Sequence, residues 1–312
     1  MSVKVIMPGV LTTVQDAGRF GYQKSGIHTA GVMDMESFEK ANYLVGNEHG
    51  EAVLEATLYG CTMEFTEDTV IALTGADMEP KVNQMPVPMN CPIAIKTGDS
   101  LSLGMAKEGC RTYIAFAGGI DVPTVMGSRS TDIKCRIGGY QGRALSAGDE
   151  IKLGAGKSYE EVKDRRAQAV SYSALISLRV IPGPQEEYFT EQGKKILYSE
   201  TYTISDQSDR MGYRLEGAAV ESINGTDIVS DGIPLGAIQV PASGKPIILL
   251  ADRQTTGGYA KIGTVCSFDI PKLVQAKPGD QVRFTPISAE EVQKMYEYPQ
   301  KHEKAGKTDE LL

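Results

Sequence analysis

Three segments, GDSLSLG at 98–104, GDEIKLG at 148–154 and GDQVRFT at 279–285, share one form: a Gly-Asp pair followed by alternating apolar positions. Gly-Asp supplies a tight turn, and the alternation supplies a half-buried strand, the combination that barrel-like sheets use repeatedly. Working outward, strand-length runs of β-branched and aliphatic residues recur at 3–7, 70–74, 92–96, 112–117, 176–181 and 246–250, each bounded by Gly, Pro or Asp. The fold class expected is mainly β (α+β), with two β-rich barrel-like subdomains and a few peripheral helices.

At 312 residues the chain is long enough for two domains of ordinary size. The VIMPG at 5–9 is echoed by VIPGP at 180–184, so a second module is expected to open near residue 175. The boundaries expected are 1–170, 171–300 and a flexible tail at 301–312. Helix signals are fewer. Asp34 precedes the periodic apolar residues Met35, Phe38, Ala41 and Val45, with Gly46 at the stop position. Ser158 with Glu161, and Ser288 with Glu291, match capping boxes. The polar stretch at about 159–169 reads as a helix bridging the two halves.

The net charge of −8 and pI near 5.1 set a repulsive field against any polyphosphate backbone, so no nucleic acid partner is expected. No apolar run approaches the roughly 20 residues that span a bilayer, and MSVKVIMPGV lacks the regions of a signal peptide. No membrane partner and a cytoplasmic location are the expectation. Cys61, Cys91, Cys110, Cys135 and Cys266 are widely spaced, with no C-x-x-C pair and no nearby histidine to complete a metal set. No metal site is read from them. Only His28, His49 and His302 are available for imidazole chemistry.

Gly-Lys-Thr at 306–308 lacks the first glycine of a Walker A loop, and neither G-x-G-x-x-G after a strand nor G-x-S-x-G occurs. There is no Met-Lys-Met, so the chain is not expected to carry biotin. What remains are polar clusters rich in glycine. TTVQDAGRFGY at 12–22 places Gln15, Asp16 and Arg19 among Gly18 and Gly21, which suits a carboxylate-binding loop or, equally, a structural loop held by an internal Arg–Asp pair. YIAFAGGIDVP at 113–123 runs into MGSRSTD at 126–132, whose hydroxyls suit an anion or a turn. SDQSDRMGYRLEG at 205–217 concentrates Asp206, Asp209, Arg210 and Arg214. After an apolar strand, Asp252, Arg253, Gln254, Thr255, Thr256, Gly257 and Gly258 carry more hydrogen-bonding groups than a plain turn requires, favouring a loop-borne site.

With AGVMDMESFEKANYLVGN (30–47) and AVLEATLYG (52–60), these segments together resemble the KipA family, whose members are also called allophanate hydrolase subunit 2 or the 5-oxoprolinase C subunit, across nearly the whole chain. The resemblance implies subdomains A and B of a biotin-dependent carboxyltransferase domain, with cyclophilin-like barrels. It also implies two partners, a KipI-like B subunit together with a LamB/YcsF-like A subunit, in an ATP-dependent 5-oxoprolinase, a hydrolase of a cyclic amide, with ATP bound by the complex. On that basis Arg19 or Arg210 is expected to hold a substrate carboxylate. Gln15, Asp252, Gln254, Thr255, Thr256, Gly257 and Gly258 are expected to contact the amide, and Asp16, Asp34 and Asp209 to orient the cations or move a proton. Two other functions fit the resemblance: carboxyl transfer from carboxybiotin to urea or another small amide, and antagonism of a KipI-like kinase inhibitor.

Overall fold

The three Gly-Asp segments fold as one device. In the computed structural model, which describes residues 1–48 and 50–296, Gly98, Gly148 and Gly279 have φ of 86°, 89° and 94°, a region that disfavours any residue with a Cβ. The following aspartate amide closes each turn on a carbonyl three residues back, Asp99 on Lys96, Asp149 on Ser146 and Asp280 on Lys277. Each carboxylate accepts the amide of that same residue, at 2.7, 2.7 and 2.8 Å. The turn then grips one residue of a neighbouring strand on both sides: the glycine amide donates to Phe65, Val5 or Ile204, and the same residue's amide donates to the aspartate carbonyl. Ser100–Ser102, Glu150–Lys152 and Gln281–Pro286 thereby start in register against their antiparallel partners.

The first half stacks two sheets. One has the order Glu150–Lys152, Ser2–Met7, Thr62–Phe65, Ser100–Ser102, Lys81–Val82, Met85–Pro86, and the other Leu11–Gln15, Val53–Thr57, Glu108–Phe116, Thr69–Asp77, Pro92–Ile95. Val5, Met63 and Phe65 of the first sheet meet Leu54, Leu73, Ile114 and Phe116 of the second in one core. The second sheet's outer face is covered by the helix Met35–Val45, through Phe38, Ala41, Leu44 and Val45. As its caps require, the Asp34 carboxylate accepts from the Ser37 amide and Gly46 closes the end in a left-handed conformation.

The second half is a closed seven-stranded barrel, in the order Leu175–Pro182, Lys261–Val265, Ala237–Gln239, Ile247–Leu249, Gly212–Glu216, Tyr202–Ile204, Gln281–Pro286. Its ends join by the parallel pair Leu175–Pro182 with Gln281–Pro286. The mainly β, cyclophilin-like expectation describes what the chain adopts. Among the described residues no helix is long and apolar enough to cross a membrane.

Two helix expectations change. The stretch expected to be helical to about 169 is helical only over Tyr159–Val162, where Val162 is the one buried side chain. Beyond it, Arg165 stacks on Tyr43 and donates to the Tyr43 carbonyl, while the Ala167 amide donates to Asn90, so this segment is tied along the first half. The helix Glu191–Ser199, capped by Thr190, escaped the sequence reading because it contains Gly193. A Cβ there would lie 2.4 Å from the Glu221 carbonyl oxygen, so backbone proximity selects the glycine. The Ser288–Glu291 box forms and opens a helical stretch from 289. The expected tail at 301–312 lies outside the described residues.

A Cβ at Gly98, Gly148 or Gly279 would meet no atom within 4 Å. Substitution by alanine therefore tests backbone conformation free of packing. Each of Gly98→Ala, Gly148→Ala and Gly279→Ala is expected to lower stability by about 1–2 kcal/mol in urea unfolding, and losses near zero would show that the turn tolerates another conformation.

Candidate functional site

Strand alternation sends Val53, Glu55 and Thr57 to the face opposite Leu54 and Ala56, towards the helix and the barrel. Glu55 sits opposite Tyr113 in the ladder and accepts from its hydroxyl at 2.9 Å and from the Met33 amide at 2.8 Å. Its other oxygen pairs with Arg210 of the barrel half. Arg210 forks onto Asp252 with two 2.9 Å bonds and donates to the Gly31 carbonyl at 2.5 Å. Arg210, Glu55 and Asp252 are 5%, 1% and 8% exposed. Burial opposes the Arg210 charge, but Asp252 and Glu55 outweigh it and hold the group above the usual arginine range. Burial likewise pushes the Asp252 carboxyl up, with Arg210 pulling it back.

A second barrel residue reaches the same face. The strand Glu108–Phe116 bulges between Glu108 and Thr112, which leaves backbone groups without ladder partners. The Gln275 amide meets them: its Oε1 accepts from Cys110 and Arg111 at 3.0 and 2.9 Å, and its Nε2 donates to the Arg111 carbonyl and to Asp34 at 3.0 and 2.8 Å. Burial pushes the Asp34 carboxyl up. Asp34 thus serves as helix cap and inter-half contact. Arg111 adds a bond to the Tyr213 hydroxyl at 2.7 Å.

The 12–22 segment turns inward. Asp16 accepts from the Ser128 and Ser130 hydroxyls at 2.6 and 2.5 Å and from the Gly18 and Arg129 amides. Arg19, 0% exposed, donates to the Val125 and Ser130 carbonyls at 3.0 and 2.9 Å. Gln15 bonds Thr13 and the Thr131 carbonyl. The internal Arg–Asp pair does not form; the two side chains separately clamp the 125–131 segment. Arg19 and Arg210 are both sealed from solvent, so neither presents a donor to a substrate, a correction to the roles expected of them.

The free polar groups lie on the outer face of the barrel. Strand register sets Arg214, Ile247 and Gln239 side by side, beside the two-stranded antiparallel sheet of Asp227–Gly232 and Thr256–Tyr259. A cleft of about 300 Å³ there is lined by Asp209, Arg214, Gln239, Gln254 and Tyr259 over a floor of Met211, Ile247 and Leu249. Asp209 uses Oδ1 to accept from Met211 and Gly212 amides and keeps Oδ2 free. Gln239, 2% exposed, donates Nε2 to the Tyr259 carbonyl. Gly257 is small because a Cβ would come within 2.7 Å of that Nε2. Among the described residues the Arg214 guanidinium is unpaired and exposed. Thr256 and Gly257 pair with Gly232 and Asp231, and Gly258 lies within the same strand, so these three build the two-stranded sheet.

Gln254 also lines a neighbouring cleft of about 300 Å³ with Gln23, Thr29, Arg253 and Thr255. The 12–29 and 251–259 segments therefore meet, through Gln23 and Thr29 rather than Gln15, Asp16 and Arg19. Beside Thr29, the His28 Nδ1 lies 3.1 Å from Asp132 and 4.0 Å from the Cys135 sulfur. Linear spacing concealed this cluster, since 28 and 132 are distant in the chain. A larger cavity of about 540 Å³ between the 121–125 and 136–142 loops sets Asp121, Arg136, Gln141, Glu150 and Lys152 around Val122, Pro123, Val125, Ile137 and Tyr140. The barrel cleft is the better candidate because its lining is the more polar of the two and joins a free guanidinium to a carboxamide.

A barrel-and-sandwich chain with this cleft matches the family model for the carboxyltransferase domain, subdomain A and B, over residues 25–286. The chain belongs to that family. It is 38% identical to the 5-oxoprolinase C subunit of Escherichia coli over 300 residues, 96% of each chain. It is 32% identical to the urea amidolyase of Saccharomyces cerevisiae over 93% of this chain and 17% of that one. The crystal structure of Kluyveromyces lactis urea carboxylase is similar with a TM-score of 0.88 at 31% identity, covering 96% of this chain and 28% of that one.

Gln275→Leu keeps the volume but strands buried backbone groups and Asp34. It is expected to cost about 3 kcal/mol in urea unfolding, whereas Arg214→Ala on the open cleft stays within about 0.5 kcal/mol. Equal losses at the two positions would contradict the division between buried and free groups.

Proposed function

We propose that the chain is the C subunit of an ATP-dependent 5-oxoprolinase, acting in the cytoplasm with a KipI-like protein and a LamB/YcsF-like protein to open 5-oxoproline to L-glutamate. The observation that carries this reading is that the unpaired Arg214 shares a cleft of about 300 Å³ with the half-buried carboxamide of Gln254. A free guanidinium is suited to a carboxylate, and carboxamides are suited to both the N–H and C=O of a lactam. The name carried by the Escherichia coli relative supports the same substrate.

A lactam is a poor electrophile. Transfer of the ATP γ-phosphoryl group to its oxygen, then attack of water at that carbon, gives a tetrahedral adduct. Its C–N bond breaks as the amine gains a proton, leaving an acyl phosphate, and a second water releases inorganic phosphate; the overall products are glutamate, ADP and phosphate. The residues of this chain bind and orient: Arg214 the carboxylate and Gln254 the ring amide, with the buried Gln239 holding the Tyr259 carbonyl beneath them. Asp209 Oδ2, with no other partner, is placed to accept a proton. The nucleotide is assigned to the complex, not to a residue set here.

The likeness to urea carboxylase favours a second reading, carboxyl transfer to urea or a related amide from biotin carried on another chain. The test is the complex assembled by co-expression with its neighbouring genes, assayed for glutamate from 5-oxoproline with and without ATP. Arg214→Ala is expected to raise KM for 5-oxoproline about tenfold or more while leaving KM for ATP unchanged, the effect of losing one charge-assisted contact. Unchanged KM for 5-oxoproline would remove Arg214 from the site, and ATP-independent or absent glutamate formation with carboxylation of urea would favour the second reading.

A further inference from the structure

We propose that His28, Asp132 and Cys135 form a binding site for a zinc-class divalent transition metal, at the edge of the cleft that Thr29 lines. The His28 Nδ1, an Asp132 carboxylate oxygen and the Cys135 sulfur all lie within 4.8 Å of one another. Zinc bonds of about 2.0–2.1 Å to nitrogen, 2.0–2.2 Å to oxygen and 2.3 Å to sulfur place tetrahedral ligand atoms roughly 3.3–3.6 Å apart. The distances from Nδ1, 3.1 Å to Asp132 and 4.0 Å to Cys135, bracket that range. Shifts of a few tenths of an ångström would bring both of these distances into that range.

The manner of convergence separates a metal site from a catalytic relay. In a nucleophile–base–carboxylate relay the two partners address opposite ring nitrogens of the histidine. Here the carboxylate and the thiol both address Nδ1. Three donors of different softness, S, N and O, aimed at one point are what a borderline cation selects.

The ligands are held by a built frame. Asp132 and Ile137 pair backbone to backbone in both directions, closing the 132–137 loop, and the Cys135 amide donates to the second Asp132 oxygen at 3.0 Å. Immediately upstream, Asp16 and Arg19 clamp Ser128 and Ser130. The Asp132 side chain is 1% exposed and that of His28 12%, while Cys135 is half-buried, which leaves an entry path. A carboxylate bonded on its outer oxygen and a loop fixed on both sides are the supports that metal ligands use.

The experiment uses the full chain and Co²⁺ as the probe, with Zn²⁺ as competitor. One equivalent of Co²⁺ is expected to bind, giving a near-ultraviolet thiolate-to-cobalt charge-transfer band that Zn²⁺ abolishes. Cys135→Ser is expected to remove the band, and Cys135→Ser and His28→Gln each to weaken binding in equilibrium dialysis at least about tenfold, with circular dichroism unchanged. Cys91→Ser, at the other half-buried thiol outside this cluster, is expected to leave both intact. Absence of stoichiometric binding or of the thiolate band in the unmodified chain overturns the proposal, as does a band that survives Cys135→Ser.

Discussion

A guanidinium taken out of water must find its counter-charges inside the protein, and Arg210 finds one on each half of the chain. Asp252 meets it from within the barrel half and Glu55 from the sandwich, with the Gly31 carbonyl completing the contacts. Taking Arg210 away would leave two buried carboxylates without the cation that joins them, a cost far above that of breaking a surface pair. The barrel therefore cannot rotate against the sandwich without separating these groups. Gln275 acts beside it in neutral form, substituting for ladder partners that the bulge at 109–111 forgoes.

This junction also fixes what the open surface carries. Asp252 ends the segment that leads into Gln254 and the Thr256–Tyr259 strand, and Arg210 stands just before the Gly212–Glu216 strand that presents Arg214. Locking Arg210 to Asp252 thus sets the two edges of the barrel cleft relative to each other. Charges in this region divide accordingly: Arg210, Asp252 and Glu55 find partners in the interior and hold the halves, while Arg214 and Asp209 Oδ2, without side-chain partners among the described residues, face the cleft. The same division explains why the arginines most prominent in the sequence motifs are poor substrate ligands.

Where the determining chemistry lies within a few residues, the sequence disclosed it. The Gly-Asp turns, the Asp34 and Gly46 caps and the Ser288–Glu291 box each depend on groups within one turn of backbone, or at most one helix length, and each forms. Arg214 was legible as outward-facing from the alternation of Gly212–Glu216, in which Tyr213 and Leu215 enter the core. Glu55 was not: nothing within AVLEATLYG marks it as buried, and the groups that make its burial tolerable, Arg210 and Arg111 with Tyr113 and the Met33 amide, come from elsewhere in the chain. The His28–Asp132–Cys135 cluster was hidden for the same reason, since His28 lies far along the chain from Asp132 and Cys135. The polar stretch after Val162 misled because helix-forming residues without an apolar stripe have nothing to pack.

The most direct test of the junction is a double-mutant cycle across it, with Glu55→Leu and Arg210→Met measured singly and together by urea unfolding. Arg210→Met should cost about 3–5 kcal/mol by leaving two buried carboxylates without their cation, and Glu55→Leu about 1–3 kcal/mol by stranding the buried donors that its carboxylate serves. The double variant should recover about 2 kcal/mol or more of the summed loss. Additive losses would mean that Glu55 and Arg210 do not act on one another, and that this pair does not join the two halves.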